Sequence, residues 1–390
     1  MKITGVETFL TRPNTARSGW IGGKNWLLVK VKTDAGIEGW GEAYTLPDRD
    51  RNIAQHIVEL SRYIAGMNPF HIKRFVCMAY DDFAGRRGAM DLFCAVSSIE
   101  QALWDIVGKS LGTPVYNLLG GPCRDRIRVY ANGWYAGART PEELARMAAE
   151  TVKSGFSALK FDPFPGPWRL FISQADEKAA AENMRAVRYA VGPDIDILVE
   201  VHRRLAPMHA IRVARMIQEF NPFWYEEPVP SDNLDAMVEV RRATGLPVVT
   251  GETLYTKNAF REVLEKRAAD ILNPDVASCG GILELKEIAA MAEPHYVGVA
   301  PHNYNSTTVA LASTIQVAAT IPNFLITEYF VNFAEPGDAI SVNPLRVEGG
   351  YIKIPTGPGL GLEIDEDALW RYPYQESPPR SLGSHEDHSP

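Results

Sequence analysis

From residue 126 onward the chain alternates short apolar runs with amphipathic stretches, and this alternation admits few folds. Strand-like runs occur at Ile127–Tyr135, Ala158–Pro163, Ile195–His202, Phe223–Pro228, Pro247–Glu252, Ala269–Asp275, Val297–His302 and Phe324–Phe330. Between them lie segments with apolar residues at helical spacing, such as Pro141–Ser154, Glu177–Val191 and Ile282–Ala292. Strand starts recur every about 22 to 37 residues, the length of a βα unit, and eight such units close a parallel (β/α)8 barrel. The expected fold class is therefore α/β, a TIM-like barrel over residues 126–344.

Residues 1–125 follow another pattern. Trp26–Thr33 and Ile37–Ala43 are β-like runs separated by Asp34, Ala35 and Gly36, a hairpin signal, and helical stretches follow at Ile53–Ala65 and Asp91–Gly108. A hairpin of this size needs further packing to be stable. The segment is thus expected to form an N-terminal α+β module capping one end of the barrel. β-like alternation returns in residues 345–371, which are expected to rejoin the capping module, and residues 372–390, rich in Pro, Ser and charge, are expected to form a flexible tail or an interaction arm.

The chain has 390 residues, 46% of them hydrophobic, enough for a large core. A formal net charge of −8, with basic residues dispersed among acids, gives no footprint for nucleic acid. No apolar run is long enough for a membrane span and no secretory leader is evident, so a cytoplasmic location is expected. Cys77, Cys94, Cys123 and Cys279 are scattered, which fits buried small hydrophobes better than a disulfide framework or thiolate metal site. Small molecules are the expected partners.

In a barrel of this kind chemistry gathers at the carboxyl ends of the strands. Six successive strands place an ionisable group there: Glu200 and His202, Glu226, Glu252, Asp275, His302 and Glu328. Glu200, Glu226 and Glu252 are spaced 26 residues apart each time, one βα unit, so their carboxylates converge from adjacent strands. Clustered anions require a cation. All-oxygen ligands with room for water and substrate favour Mg²⁺. Any one of these glutamates alone could equally be a solvated strand-end residue; three in register are harder to explain that way. Glu227 should face away from Glu226, because side chains alternate along a strand.

Asp275 and His302 end neighbouring strands and can pair, the carboxylate fixing the tautomer and raising the basicity of the opposite ring nitrogen. His202, two residues beyond Glu200, should share its face and so meet the substrate. Lys160 ends the second strand, either reaching solvent or entering the site. Arg203 and Arg204 could clamp a carboxylate, with surface solvation expected for at least one. The loop over residues 163–175 is long for a βα connection, as lids and binding segments often are.

Ile99-Glu100-Gln101-Ala102-Leu103-Trp104-Asp105-Ile106, Leu118-Leu119-Gly120-Gly121, Glu226-Glu227-Pro228, Gly251-Glu252 and Gly280-Gly281-Ile282, in this order, resemble the mandelate racemase-like branch of the enolase superfamily. Within that branch the pattern resembles acid-sugar dehydratases of the D-galactonate and mannonate type. The resemblance implies metal ligands at Glu200, where the family commonly has Asp, and at Glu226 and Glu252, with a homo-oligomeric assembly. It implies a His302–Asp275 base dyad, a Glu328 contact to the substrate carboxylate, and His202 as general acid. Racemases of the superfamily carry Lys-x-Lys on the second strand; here the second position is Asp162. The implied reaction is Mg²⁺-dependent dehydration of a sugar acid to a 2-keto-3-deoxy sugar acid. Two other readings fit the same residues: epimerisation of a carboxylate substrate, with His302 on one face and Lys160 or His202 on the other, and a catalytically silent member. Loops over residues 17–24 and 86–90 are expected to close the site.

Overall fold

The structure, a computed structural model, describes residues 1–12, 24–164 and 169–378. Two sheets organise it. Strands β1 (Ile3–Thr11), β2 (Trp26–Thr33) and β3 (Glu38–Ala43) form an antiparallel meander. The β2–β3 hairpin turns at Gly36, whose φ of 73° suits a residue without Cβ. Strand β1 escapes the sequence reading because it is a half-exposed edge with polar residues along it.

The long helix Met90–Leu111 holds the meander to the rest of the molecule. It is buried nearly all round, and its polar side chains serve several neighbours. Gln101 Nε2 donates to Glu42 O at 2.9 Å on β3. Glu100 accepts from Ile282 N (2.7 Å) and Leu283 N (3.0 Å), the start of the helix Ile282–Ala292. Asp105 accepts from Trp40 N (2.9 Å) on β3 and Leu360 N (2.8 Å) near the C-terminus. Strand β3 approaches this helix so closely that a Cβ on Gly41 would stand 1.7 Å from Ser98 O. Backbone on both sides leaves no room to yield. Gly41→Ala is therefore expected to cost about 3 kcal/mol of stability, seen as a lower urea midpoint.

The second sheet is the barrel. Strands β4 (Arg126–Asn132), β5 (Ala158–Phe161), β6 (Asp196–Glu200), β7 (Trp224–Glu226), β8 (Val248–Thr250), β9 (Ile271–Leu272) and β10 (Gly298–Val299) run parallel in chain order. Strand β11 (Thr327–Phe330) pairs parallel with β4, and Leu325 N donates to Val299 O at 2.9 Å, so the circle closes. Tyr130, Ala158, Leu198, Trp224, Val249, Ile271, Ala300 and Ile326, one from each strand or its flank, fill the interior as a separate apolar cluster. This plug forces the chemistry to the strand ends.

The segment 345–371 divides. Strands β12 (Val347–Glu348) and β13 (Tyr351–Lys353) pair with each other, and β13 lies antiparallel on β4, so this part joins the barrel rather than the capping module. The chain reaches the capping module afterwards, where Glu366 pairs with Lys30 of β2 at 2.7 Å. Residues 372–378, expected to be flexible, run along that module: Pro373 bridges to Thr11, and Arg51 Nε donates to Tyr374 Oη at 2.9 Å. Residues 379–390 lie outside the described residues. Cys94 and Cys279 are buried, but Cys77 and Cys123 are exposed, against the expectation that all four are buried. Among the described residues no helix is long and apolar enough to cross a membrane.

Candidate active site

Glu200 and Glu226 are register partners on β6 and β7, and Glu252 follows the end of β8. Each of the three offers an oxygen within 4.8 Å of the others, and all are buried. Lys160, at the centre of β5, reaches into this cluster and lies 3.2 Å from Glu200 Oε2, 2.9 Å from Glu226 Oε1 and 3.1 Å from Glu328 Oε1. It is 1% exposed, so the solvent-reaching alternative does not hold. Burial opposes its charge, but Glu226 and Glu328 outweigh that and hold the ammonium well above its ordinary range. Arg203 pairs with Glu252.

These cations do not satisfy the cluster. Among the described residues, four carboxylates, Glu200, Glu226, Glu252 and Glu328, face two permanent cations, Lys160 and Arg203. Glu226 Oε2 is buried with no hydrogen-bond partner, and burial together with Glu200 pushes this carboxyl well above its usual range. An orphaned oxygen inside an all-carboxylate donor set fits a hard divalent cation. Glu227 belongs elsewhere. Its Oε1 accepts from Thr250 Oγ1 (2.8 Å) and Gly251 N (3.0 Å), which ties β7 to β8.

His302 follows β10, and its Nδ1 donates to Asp275 Oδ2 at 2.7 Å. Asp275 is itself held by Asn305 Nδ2 (2.9 Å) and Ala277 N (2.8 Å). The opposite ring nitrogen, Nε2, lies 3.4 Å from Glu252 Oε2 and 3.5 Å from Glu328 Oε2. Burial disfavours the imidazolium, but Glu252, Glu328 and Asp275 prevail and raise it to about 9. Glu328 accepts from Asn132 Nδ2 (2.6 Å) and Asn303 N (2.9 Å). Burial pushes its carboxyl up, and Lys160 with His302 more than reverses that.

His202 reaches the site by another route than strand alternation. β6 ends at Glu200, and the backbone is left-handed at His202 (φ 55°) and Arg203 (φ 61°). His202 N donates to Glu200 Oε1 at 2.8 Å, and its Nδ1 lies 2.9 Å from Asp162 Oδ2. Both neighbouring arginines are engaged, contrary to the expected surface role for one: Arg203 with Glu252, and Arg204 with Asp162 and with Val201 O at 2.8 Å.

A cavity of about 340 Å³ opens over these groups, lined by Asn132, Lys160, His202, Arg203, Glu252 and His302 on the barrel side. Tyr44, Leu46 and Pro47 of the capping module, with Tyr304 and Phe330, form the opposite wall. The capping residues thus come from the end of β3. Residues 86–90 instead lie beside Tyr255, whose hydroxyl donates to Gly88 O at 3.2 Å. Residues 17–23 of the other expected loop, and 165–168 of the long βα loop, are outside the described residues. Lys24 is described: its ammonium donates to Thr45 O at 3.1 Å and sits over the Tyr44 and Tyr304 rings.

Sequence reasoning overlooked Asn132 and Asn273, the latter donating to Glu226 Oε1 at 2.8 Å. Both stand at strand ends, and reading every polar strand-end residue, not only ionisable ones, finds them. Residues 143–368 match the family described as enolase C-terminal domain-like, and residues 2–120 match the mandelate racemase/muconate lactonizing enzyme N-terminal domain. The chain belongs to the enolase superfamily. This superfamily member is 34% identical over 377 residues to the D-gluconate/D-galactonate dehydratase of Picrophilus torridus, covering 95% of this chain and 94% of that one. It is 33% identical over 375 residues to the D-galactonate dehydratase of Variovorax paradoxus, with 95% and 94% covered. Among solved structures, a mandelate racemase/muconate lactonizing enzyme-like protein from Roseovarius sp. TM1035 superposes with a TM-score of 0.89 at 36% identity, covering 98% of this chain and 99% of that one.

Proposed function

We propose that this enolase-superfamily enzyme dehydrates a sugar acid, removing the C2 proton and the C3 hydroxyl to give a 2-keto-3-deoxy sugar acid. The observation that carries the reading is one cavity lined by the carboxylate-cluster residue Glu252, by His302, which Asp275 holds from behind, and by a second histidine, His202. The names of the dehydratase relatives support it.

Glu200, Glu226 and Glu252 would hold Mg²⁺, which when bound supplies positive charge against the substrate carboxylate. His302, oriented by Asp275, takes the C2 proton on Nε2. Glu328, fixed by Asn132 and Asn303, orients the substrate carboxylate. His202 gives its proton to the C3 hydroxyl as the C3–O bond breaks, water departs, and the resulting enol takes a proton at C3 to become the 2-keto acid. Lys160, locked among three carboxylates, is a fixed cation of the site and a poor candidate for a base. This weighs against an epimerase with a lysine on the second face.

A library of acid sugars with Mg²⁺, assayed for semicarbazide-reactive product, tests the proposal. Formation of 2-keto acid is expected; a C2 epimer as the product would replace dehydration with epimerisation. No turnover together with no Mg²⁺-induced rise in Tm would leave a silent member. His202→Asn is expected to slow dehydration by roughly 10²- to 10⁴-fold while C2 exchange with D₂O continues. Glu200→Asp, which keeps the charge and shortens the reach, is expected to retain more Mg²⁺-dependent activity than Glu200→Gln.

A further inference from the structure

The position after Lys160 and Phe161 holds a carboxylate, and its surroundings show what it does. Asp162 Oδ2 lies 2.9 Å from His202 Nδ1 and also meets the Arg204 guanidinium. Its other oxygen, Oδ1, accepts from Phe164 N at 2.9 Å. Arg204 is buried and anchored through Nε to Val201 O, with the Phe164 ring 5.3 Å from its guanidinium. Two partners other than His202 therefore hold the carboxylate, one on each oxygen, so the imidazole must follow it. From the opposite direction, the left-handed turn at His202 and the bond from its backbone N–H to Glu200 fix where the ring begins.

We propose that Asp162 is the positioning residue of His202, so that the site contains two His–Asp dyads, His302–Asp275 and His202–Asp162, on one cavity. The inference rests on the dehydration reading for the role of His202. A carboxylate accepting from Nδ1–H commits the ring to presenting Nε2 to the substrate. The Asp275–His302 contact, at 2.7 Å, uses the same two atom types, Oδ2 and Nδ1. An aspartate thus stands at the position where a lysine base would serve the second face of a racemase, and it orients a proton donor instead. The consequence is directional: the second face is equipped to deliver a proton to a leaving hydroxyl, not to reprotonate C2 with a lysine.

The test uses Asp162→Asn alone and combined with Arg204→Met, because the single change removes the carboxylate with which a buried guanidinium pairs and costs stability on that account. The first readout needs neither metal nor substrate. In ring-¹⁵N-histidine-labelled enzyme, the unaltered protein is expected to show a downfield, slowly exchanging Nδ1–H signal that disappears in His202→Asn, which assigns it. Both Asp162 variants are expected to move that signal upfield or lose it, because an amide oxygen is a weaker acceptor than a carboxylate, while the corresponding His302 signal stays. In turnover, the expected loss in kcat for dehydration is about 10- to 100-fold, the range for a group that orients a working ligand or acid, with little change in KM. C2 exchange in D₂O should continue, and adding the Asp162 change to His202→Asn should cost nothing further. An Nδ1–H signal that persists unshifted in the folded double variant overturns the proposal. So does a parallel fall of dehydration and exchange, or additive losses with His202→Asn. If the unaltered enzyme dehydrates no acid sugar, the reaction reading is what fails, and the ring signal still decides the dyad.

Discussion

His302→Asn is expected to abolish dehydration, a loss of about 10⁴-fold or more, and with it the exchange of the substrate C2 proton with D₂O. The imidazole Nε2 sits between Glu252 and Glu328 at the mouth of the carboxylate cluster, while Nδ1 is committed to Asp275. Asparagine keeps a donor near Asp275 but offers no basic nitrogen. No later step can then begin. The contrast with His202→Asn separates the roles, since only the acid's loss leaves exchange running. Mg²⁺ affinity must be measured on both variants, because His202 N bonds directly to Glu200. Rapid C2 exchange by His302→Asn with Mg²⁺ binding intact would move the base to His202.

Glu226→Gln and Glu252→Gln should each eliminate Mg²⁺-dependent turnover, yet they should differ in stability. Glu226 carries an oxygen with no partner and lies beside Glu200, and Lys160 keeps Glu200 and Glu328 when Glu226 is neutralised, so replacing its charge relieves a conflict in the metal-free protein. Its Tm without Mg²⁺ should stay level or rise. Glu252 is the ion-pair partner of Arg203, and its loss removes the nearest counter-charge of a guanidinium largely out of water, so Tm should fall. Neither variant should gain Tm on adding Mg²⁺, whereas the unaltered protein should. Full turnover by both at ordinary Mg²⁺ would remove the metal assignment.

The barrel was legible in the sequence because its strands are buried on both faces and separated by helices of regular length. The strand-end rule then brought Glu200, Glu226, Glu252, Asp275, His302 and Glu328 to one rim. What the rule missed depends on backbone that leaves the strand. His202 and Arg203 adopt left-handed conformations that no alternation pattern encodes, so the facing argument reached the right cavity for His202 by the wrong geometry. Asp162 read only as a missing lysine, because its partners His202 and Arg204 lie 40 and 42 residues away. One part of the capping wall went unread for a similar reason: Tyr44, Leu46 and Pro47 follow β3 directly, with no loop signal as conspicuous as Gly85–Gly88.

The helix Met90–Leu111 determines how such a protein can be re-engineered. Its side chains grip β3, the entry to the helix Ile282–Ala292 and the C-terminal return, and Glu42 on β3 independently accepts from Ser306 N (2.8 Å) and Ala310 N (2.9 Å) of the barrel. The capping module is therefore not an exchangeable cassette. A chimera that imports a relative's entire module must keep in register the barrel groups that meet Glu42 (Ser306 N and Oγ, Ala310 N), Glu100 (Ile282 N, Leu283 N) and Gln101 (Ser313 Oγ), or it leaves several buried groups unsatisfied at once. Grafting only residues 44–47 changes the wall that meets the substrate and leaves every one of those side-chain attachments in place, which makes this four-residue stretch the natural unit for altering specificity.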